Sequence, residues 1–227
     1  MDIELYFEER GEGAPLVLLH GNGESREYFV HQMEEFAQFC RVIAVDTRGH
    51  GRSPRGEGEF SIGRFVEDLR EFLDERGIMK ADILGFSDGG NIAIGFALKY
   101  PKRVDRLILN GANLNPQGVK SSVQIPIILG YRIASFFACW SKNARSNAEM
   151  LGLMVKEPHI QPKELKKISA RTLVIAGTKD MIKDSHTKQI YKNLPNAELA
   201  ILEGDHFIAN KNWQEFNAIV KKFLWAM

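Results

Sequence analysis

The fold is decided by the stretch ADILGFSDGGNIAIGFALKY at residues 81–100. Its first five residues form an apolar run that predicts a buried strand, and the Ala-, Gly- and Ile-rich segment from Asp88 to Tyr100 predicts a buried helix. Between them, Gly85 to Gly89 matches G-x-S-x-G, in which a serine occupies a sharp strand-to-helix turn. Crowding in this turn favours glycine on both sides. We predict Ser87 as a nucleophile; an ordinary glycine-rich turn is the alternative.

Buried strands and amphipathic helices alternate on both sides of this stretch. Further apolar runs predict strands at Leu16–Leu19, Arg41–Val45, Leu107–Leu109, Thr172–Ala176 and Ala197–Leu202. Helical spacing predicts helices at Glu24–Phe39, Ile62–Gly77, Lys183–Leu194 and Trp213–Trp225. An alternating segment, Ile3–Glu8, predicts an edge strand. This order predicts an α/β fold, with a mostly parallel sheet and helices on both faces.

The alternation stops between residues 113 and 166. This segment is apolar but irregular, and its prolines are Pro116, Pro126, Pro158 and Pro162. It is too long for a structureless loop within a compact domain. We therefore predict a small helical cap at 113–166, inserted into a core formed by residues 1–112 and 167–227.

Composition narrows the class of protein. The 227 residues suit one large domain, and 30 Lys+Arg against 29 Asp+Glu give a net charge of +1, which provides no global field for nucleic acid. Two distant cysteines, Cys40 and Cys139, disfavour a disulfide scaffold or a zinc module. The N-terminus lacks a signal-peptide pattern, and the longest apolar stretch, Val123–Trp140, is too interrupted to span a membrane. We expect a cytoplasmic protein with no metal, nucleic-acid or membrane partner.

A serine nucleophile needs a base, and the base needs a carboxylate to orient it. In folds with this turn the chain order is serine, acid, histidine. Asp180 follows a late strand in AGTKD, and His206 follows the last strand in GDHF. We predict His206 as the general base and then general acid, and Asp180 as the carboxylate that orients it. Asp184, in the next helix, and Asp205, beside His206, are alternative acids.

The negative oxygen of the reacting carbonyl needs two backbone donors, each worth roughly 2.7–4 kcal/mol in the transition state. One is predicted to be the N–H of Asp88, directly after the nucleophile. The other is predicted in the loop after the first buried strand, at Asn22, with Gly23 as the alternative register. His20, which opens that loop, is expected to anchor it by hydrogen bonds.

Five segments in this order resemble the α/β-hydrolase superfamily: HGNGES at 20–25, DTRGHGRS at 46–53, GFSDGG at 85–90, AGTKD at 176–180 and GDHF at 204–207. The resemblance covers nearly the whole chain. It implies an eight-stranded, mostly parallel sheet with a cap inserted after the sixth strand, and it implies no cofactor. Serine at position 87 excludes the dehalogenase and epoxide-hydrolase branches, which carry aspartate there, and HGNG disfavours lipases with an HGGG loop.

A finer resemblance concerns the residue after the nucleophile. SDGG at 87–90, KYP at 99–101 and GAN at 111–113 resemble valacyclovir-hydrolase-type (biphenyl-hydrolase-like) enzymes. In that group the corresponding aspartate binds the α-amino group of amino-acid esters, which would give this role to Asp88. The alternative is that Asp88 only stabilises the helix N-terminus, by about 0.3–1 kcal/mol.

The sequence thus predicts a serine hydrolase that cleaves a carboxylic ester of a small or medium, hydrophobic substrate through an acyl-enzyme. Gly23, Asp88 and the cap residues Phe136, Phe137 and Trp140 are expected to contact the substrate; packing of the cap onto the core is the alternative role for the aromatic residues. Carbon–carbon bond hydrolysis, enol-lactone hydrolysis and perhydrolysis use the same residue set, and a non-catalytic ligand receptor is a further alternative. The surplus of apolar cap residues is compatible with a homodimer.

Overall fold

The structure is a computed structural model, and it describes residues 2–226. Within this range the chain forms one sheet in the spatial order β1-β3-β2-β4-β5-β6-β7. The strands are β1 (Phe7–Arg10), β2 (Pro15–Leu19), β3 (Arg41–Val45), β4 (Ala81–Phe86), β5 (Val104–Asn110), β6 (Arg171–Gly177) and β7 (Ala197–Leu202). Only β1 runs antiparallel to its neighbour; the other pairs are parallel. The predicted α/β architecture is confirmed.

The sheet has seven strands in residues 2–226 instead of the expected eight. The alternating segment predicted at Ile3–Glu8 pairs only from Phe7 onward. Before that point its backbone bonds to the loop after β3: the Tyr6 N–H donates to Ser53 Oγ at 2.8 Å, and the Tyr6 carbonyl accepts from the Asp46 N–H at 2.9 Å. These bonds replace a strand ladder. The long insertion consequently follows the fifth strand, not the sixth.

Helices cover both faces of the sheet. Their bounds are α1 (Val30–Phe36), α2 (Ile62–Glu75), α3 (Asp88–Lys99), α4 (Ser121–Phe137), α5 (Lys142–Lys156), α6 (Asp184–Asn193), α7 (Ile208–Lys211) and α8 (Trp213–Trp225). Helices α2, α3 and α6 pack on one face and α1, α7 and α8 on the other. The helix predicted at Glu24–Phe39 is shorter, because a 3-10 turn, Arg26–Phe29, precedes α1.

The strands in the middle of the sheet are apolar because helices bury them on both sides. Every residue of β4 is buried, and so are the last four residues of β2. The amphipathic helix α2 begins where Ser61 accepts a hydrogen bond from the Arg64 N–H, which satisfies one of the free N–H groups of the first turn. This rigid centre holds the strand ends at which the candidate site lies.

The insertion forms the helix pair α4 and α5. Helix α5 is fastened to the rest of the chain, since Glu149 pairs with Arg55 at 2.7 Å and Glu157, directly after the helix, accepts from the Ile62 N–H at 2.7 Å. Helix α4 packs mainly against α5. It is therefore the outermost element on this side of the molecule.

Among residues 2–226, no helix is both long enough and apolar enough to cross a bilayer.

Candidate active site

The predicted site residues follow the carboxyl ends of parallel strands. His20 follows β2, Ser87 follows β4, Gly111 follows β5, Asp180 follows β6 and His206 follows β7. Parallel strands present these ends at one edge of the sheet, which is where ligands bind in open α/β folds. The fold therefore collects residues that are up to 186 positions apart in sequence.

The turn at Ser87 has the strained geometry that the motif predicts. Ser87 has φ 53° and ψ −119°, in a region that residues other than glycine rarely adopt. A Cβ atom on Gly85 would lie 2.3 Å from the Gly89 carbonyl oxygen, and one on Gly89 would lie 2.0 Å from the Leu19 carbonyl oxygen. Both glycines are required because backbone approaches backbone here. The turn presents Ser87 at the N-terminus of α3.

A buried histidine–carboxylate pair lies at the ends of β6 and β7. His206 Nδ1 donates to Asp180 Oδ1 at 2.7 Å, and the two side chains are 3% and 1% exposed. The alternative acids do not reach His206: Asp184 is exposed, and Asp205 accepts from the Phe207 N–H at 2.9 Å. Of the three candidate carboxylates, the structure brings only Asp180 to the imidazole.

The other nitrogen of His206 is available for proton transfer. Nε2 is buried and has no hydrogen-bond partner among residues 2–226. The ring lies against Phe86, with centroids 4.8 Å apart, and against the backbone of Gly111, where a Cβ atom would lie 2.6 Å from His206 Cε1. This packing role of Phe86 and Gly111 was not predicted from the sequence. Only their positions, directly before the nucleophile and directly after β5, could have indicated that they lie at the site.

The loop after β2 is anchored by His20, as expected. His20 Nδ1 donates to the Gly21 carbonyl at 2.7 Å, and Nε2 accepts from the Thr47 N–H at 3.0 Å. Burial lowers the pKa of His20 to about 4, so its imidazole is neutral and structural. The Asn22 side chain donates to the Met150 carbonyl of α5 at 2.7 Å. The backbone amides of Asn22 and Asp88 stay the predicted oxyanion donors.

Sequence reasoning missed two buried polar groups beside the histidine, Glu24 and Tyr28. Glu24 Oε2 lies beside Gly21 and has no hydrogen-bond partner, and burial raises the pKa of Glu24 to about 7. The Tyr28 ring stacks on Phe86 at 4.3 Å, and its hydroxyl is buried without a partner. Glu24 stands inside the HGNGES segment, but only burial distinguishes it from a surface carboxylate.

Asp88 is not a solvent-exposed capping carboxylate. It is 8% exposed, and its Oδ1 accepts from Asn91 Nδ2 at 3.0 Å. Its Oδ2 is buried without a hydrogen bond of normal geometry, and burial raises the pKa of Asp88 to about 6 although the nearby Asn22 and Asn91 side chains lower it in part. An unused acceptor therefore lies in the residue directly after the proposed nucleophile.

A cavity of about 780 Å³ opens between the loop after β2 and the two inserted helices. Its lining includes Asn22, Gly23, Ile133, Phe137, Met150 and Met154. Gly23 and Phe137 thus lie where a substrate contact was expected. Phe136 of α4 and Trp140 of the turn after it do not line the cavity, and they are 65% and 72% exposed. Their assignment as substrate contacts stays a prediction that this cavity does not support, and Met150 and Met154 of α5 line the cavity instead.

The parallel sheet, the turn and the histidine–carboxylate pair define a hydrolase of the α/β type. Residues 14–149 match the family model described as alpha/beta hydrolase fold, and the chain therefore belongs to this family. The matched range includes the turn at Ser87 and ends before Asp180 and His206.

The names of individual relatives refer to hydrolysis of different kinds of bond. A 2-hydroxymuconate semialdehyde hydrolase from Pseudomonas putida is 40% identical over 107 residues, which cover 46% of this chain but only 38% of that protein. A putative carbamate hydrolase RutD from Caulobacter segnis is 28% identical over 255 residues, covering 93% of this chain and 92% of that one. A solved structure, the meta-cleavage product hydrolase CumD from Pseudomonas fluorescens, superposes with a TM-score of 0.80 at 25% identity, covering 97% and 94% of the two chains.

Asp180→Asn is expected to lower kcat roughly 10⁴-fold, because an amide neither holds the required tautomer of His206 nor stabilises its cation. Asp205→Asn is the matched control, since Asp205 adjoins His206 in sequence but bonds elsewhere. It should change kcat by less than about tenfold. The measurement is steady-state hydrolysis of an activated ester, and a larger loss in the control would move the acid to Asp205.

Glu24→Gln is expected to raise the melting temperature above that of the wild type at about pH 8 but not at about pH 5. The folded state raises the pKa of Glu24 from 4.5 to about 7, so the protonated carboxyl is favoured in the folded protein. The stability that this proton provides is full below the unfolded pKa and is lost as pH rises through 7. Glutamine keeps the shape and removes the ionisation.

Thermal unfolding of both proteins across this pH range measures the effect. Glu34→Gln makes the same change at an exposed position and should leave the pH dependence as in the wild type. Equal shifts for Glu24→Gln at both pH values would mean that Glu24 does not titrate in this window.

Proposed function

We propose that this protein is a serine hydrolase that cleaves a carboxylic ester of a small or medium, apolar substrate. One observation carries the proposal: a serine on a strained turn shares a sheet edge with a histidine whose Nδ1 is held by Asp180 and whose Nε2 is unbonded. That arrangement supplies a nucleophile, a base and an orienting carboxylate. The alternative of an ordinary glycine-rich turn does not account for the buried pair.

The reaction takes two steps. Ser87 Oγ attacks the ester carbonyl carbon while His206 Nε2 takes its proton, and the backbone amides of Asn22 and Asp88 bind the resulting oxyanion. Asp180 stabilises the imidazolium, which then gives the proton to the leaving alcohol as the acyl-enzyme forms. Water, deprotonated by the same nitrogen, attacks the acyl carbon, and its proton passes to Ser87 as the acid leaves.

The cavity supports a small or medium, apolar acyl or alcohol group. Its volume of about 780 Å³ lies within the range of ligand pockets, and Met and Phe side chains form much of its wall. We propose that the segment 113–166 is the cap over this site, with α5 forming the inner wall. Gly23 and Asn22 connect the cavity to the oxyanion loop.

The test is hydrolysis of p-nitrophenyl esters of increasing acyl length by the wild type and by Ser87→Ala. The wild type should turn over the shorter esters, and the variant should lose roughly 10⁶-fold in kcat, since removal of the nucleophile disables the whole triad. An unchanged melting temperature shows that the variant is folded. A variant that retains the wild-type rate would refute Ser87 as the nucleophile.

Carbon–carbon bond hydrolysis is the second candidate, because the 40% identical relative is a 2-hydroxymuconate semialdehyde hydrolase. The same serine and histidine serve that reaction, so the distinction lies in the substrate. The ester series is therefore tested alongside ring-fission diketones, a carbamate and an enol-lactone, and alongside an assay for peracid formation. Turnover of the diketones above the esters would favour this candidate; tight ligand binding without turnover of any substrate would favour a receptor.

We further propose that Asp88 recognises a substrate ammonium group. Its buried Oδ2 has no partner, and an ionised carboxylate in that environment forms a charge-assisted hydrogen bond worth about 1.5–3 kcal/mol. Asp88→Asn retains the backbone N–H that is predicted to bind the oxyanion. It therefore removes the negative charge without removing that donor.

Aminoacyl esters should be preferred over the same esters without the amino group, and Asp88→Asn should reduce that preference about 10- to 100-fold. Burial raises the pKa of Asp88 to about 6, so the carboxylate is lost as pH falls through that value. KM for the aminoacyl ester should rise below about pH 6 while KM for the des-amino ester stays constant. Equal preference in both proteins would leave Asp88 as a structural residue.

A further inference from the structure

The outer face of α4 carries an unpartnered apolar stripe. Of the ten large apolar side chains that are exposed in the described chain, six belong to α4 and the turn after it: Ile125, Leu129, Ile133, Phe136, Phe137 and Trp140. At 3.6 residues per turn the first five fall within about 120° of arc. We call these six residues the α4 stripe.

The α4 stripe is exposed along its length, and only Ile133 and Phe137 of it also reach the cavity wall. The rest of the helix packs on α5, where Gly130 approaches Leu151 and Tyr131 approaches Gly152. Phe136 contacts Phe137 and Trp140 with ring centroids 5.0 and 5.6 Å apart, so the aromatic residues form one cluster at the end of the helix. A contiguous exposed apolar surface of this kind indicates an interaction site.

The chain segment that carries the α4 stripe has charges of one sign, and the acidic residues Glu59, Glu149 and Glu157 lie beside another side of α4. Between residues 107 and 148 the chain has no Asp or Glu, and its basic residues are Lys120, Arg132, Lys142 and Arg145. The last three of these are exposed. This local charge of +4 contrasts with the net charge of +1 for the whole chain. The partner that complements the surface is apolar and negatively charged.

We propose that the α4 stripe and its basic border dock on the surface of an anionic phospholipid bilayer. Trp, Phe and Leu on one side of a helix insert at the boundary between headgroups and acyl chains, and Lys and Arg beside them attract anionic headgroups. A second copy of this chain is disfavoured, because pairing the stripe with itself would bring two surfaces of the same positive charge together. The expectation of no membrane partner rested on the lack of a membrane-spanning segment. Docking on a bilayer surface does not require such a segment.

The docking surface borders the cavity. Ile133 and Phe137 belong both to the α4 stripe and to the cavity wall. A molecule dissolved in the bilayer surface would therefore meet the cavity without passing through water. The proposal concerns binding alone and does not rest on the proposed reaction.

The experiment is cosedimentation of the full chain with vesicles of phosphatidylcholine, with and without about one third phosphatidylglycerol. The protein should bind the anionic vesicles more tightly than the neutral ones, and the difference should shrink as salt rises from about 0.1 M to about 1 M. Equal affinity for both compositions, or binding to neither, would overturn the proposal.

Two double variants separate the charge from the apolar face. Arg132→Gln with Lys142→Gln should weaken binding to anionic vesicles about 30-fold, since each basic residue near such a surface contributes about fivefold. Ile125→Gln with Leu129→Gln should weaken it more than about tenfold by removing inserted apolar area. Met79→Gln is the matched control: Met79 is 74% exposed and precedes β4, at the opposite edge of the sheet, and it should bind as the wild type does.

Melting temperatures equal to the wild type show that the variants are folded, and their rates on a water-soluble ester should be unchanged because none of the five residues lines the cavity. If neither the wild type nor any variant hydrolyses the ester but the wild type still binds vesicles, the proposed esterase function is refuted and the docking proposal stands. Sedimentation velocity tests whether a second copy of this chain binds the α4 stripe instead. A dimer that Ile125→Gln with Leu129→Gln converts to monomer, without vesicle binding, would assign the α4 stripe to self-association.

Discussion

Close backbone contact at Gly89 is the constraint on which the candidate site depends. A side chain at this position would collide with the carbonyl of Leu19, so α3 begins against the end of β2 at a distance that only glycine allows. The same contact fixes two things at once: the strained turn at Ser87 and the start of the loop that carries Asn22. The relative position of the nucleophile and the predicted oxyanion donors is therefore set by backbone, which side-chain motion does not alter.

The site collects buried polar atoms that have no partner. Glu24 Oε2, Tyr28 OH, Asp88 Oδ2 and His206 Nε2 are each buried and unbonded within the described chain. Each such atom destabilises the folded protein by about 1–3 kcal/mol. The buried strands around the site provide the compensating apolar burial. Strain and unsatisfied polar groups concentrate at the edge of the sheet where chemistry is proposed, as expected of a functional site.

Local sequence signals predicted the fold well where one interaction dominates. A continuous apolar run predicted β3 with its observed bounds, Arg41–Val45, because its last four residues are buried. The bounds of β7, Ala197–Leu202, were also predicted, although β7 is an edge strand in which only Leu202 is fully buried. The eighth strand was implied by the family resemblance and not by any residue pattern, and the sheet within residues 2–226 lacks it. The exposure of Phe136 and Trp140 could not be predicted, because an apolar pattern in the sequence does not say whether protein or solvent lies against it. Glu24 was missed because its pKa depends on burial.

The hydrogen bond from Asn22 to Met150 joins the oxyanion loop to the inserted helices. It is the tie at the site itself, whereas the contacts of Glu149 and Glu157 fasten α5 farther away. A hydrogen bond of 2.7 Å weakens steeply when its atoms separate by about an ångström, so α5 cannot move outward by that much without releasing Asn22. Opening of the cavity and loosening of the loop are therefore coupled. A change in the width of the cavity entrance also changes how rigidly the backbone amide of Asn22, the predicted oxyanion donor, is held.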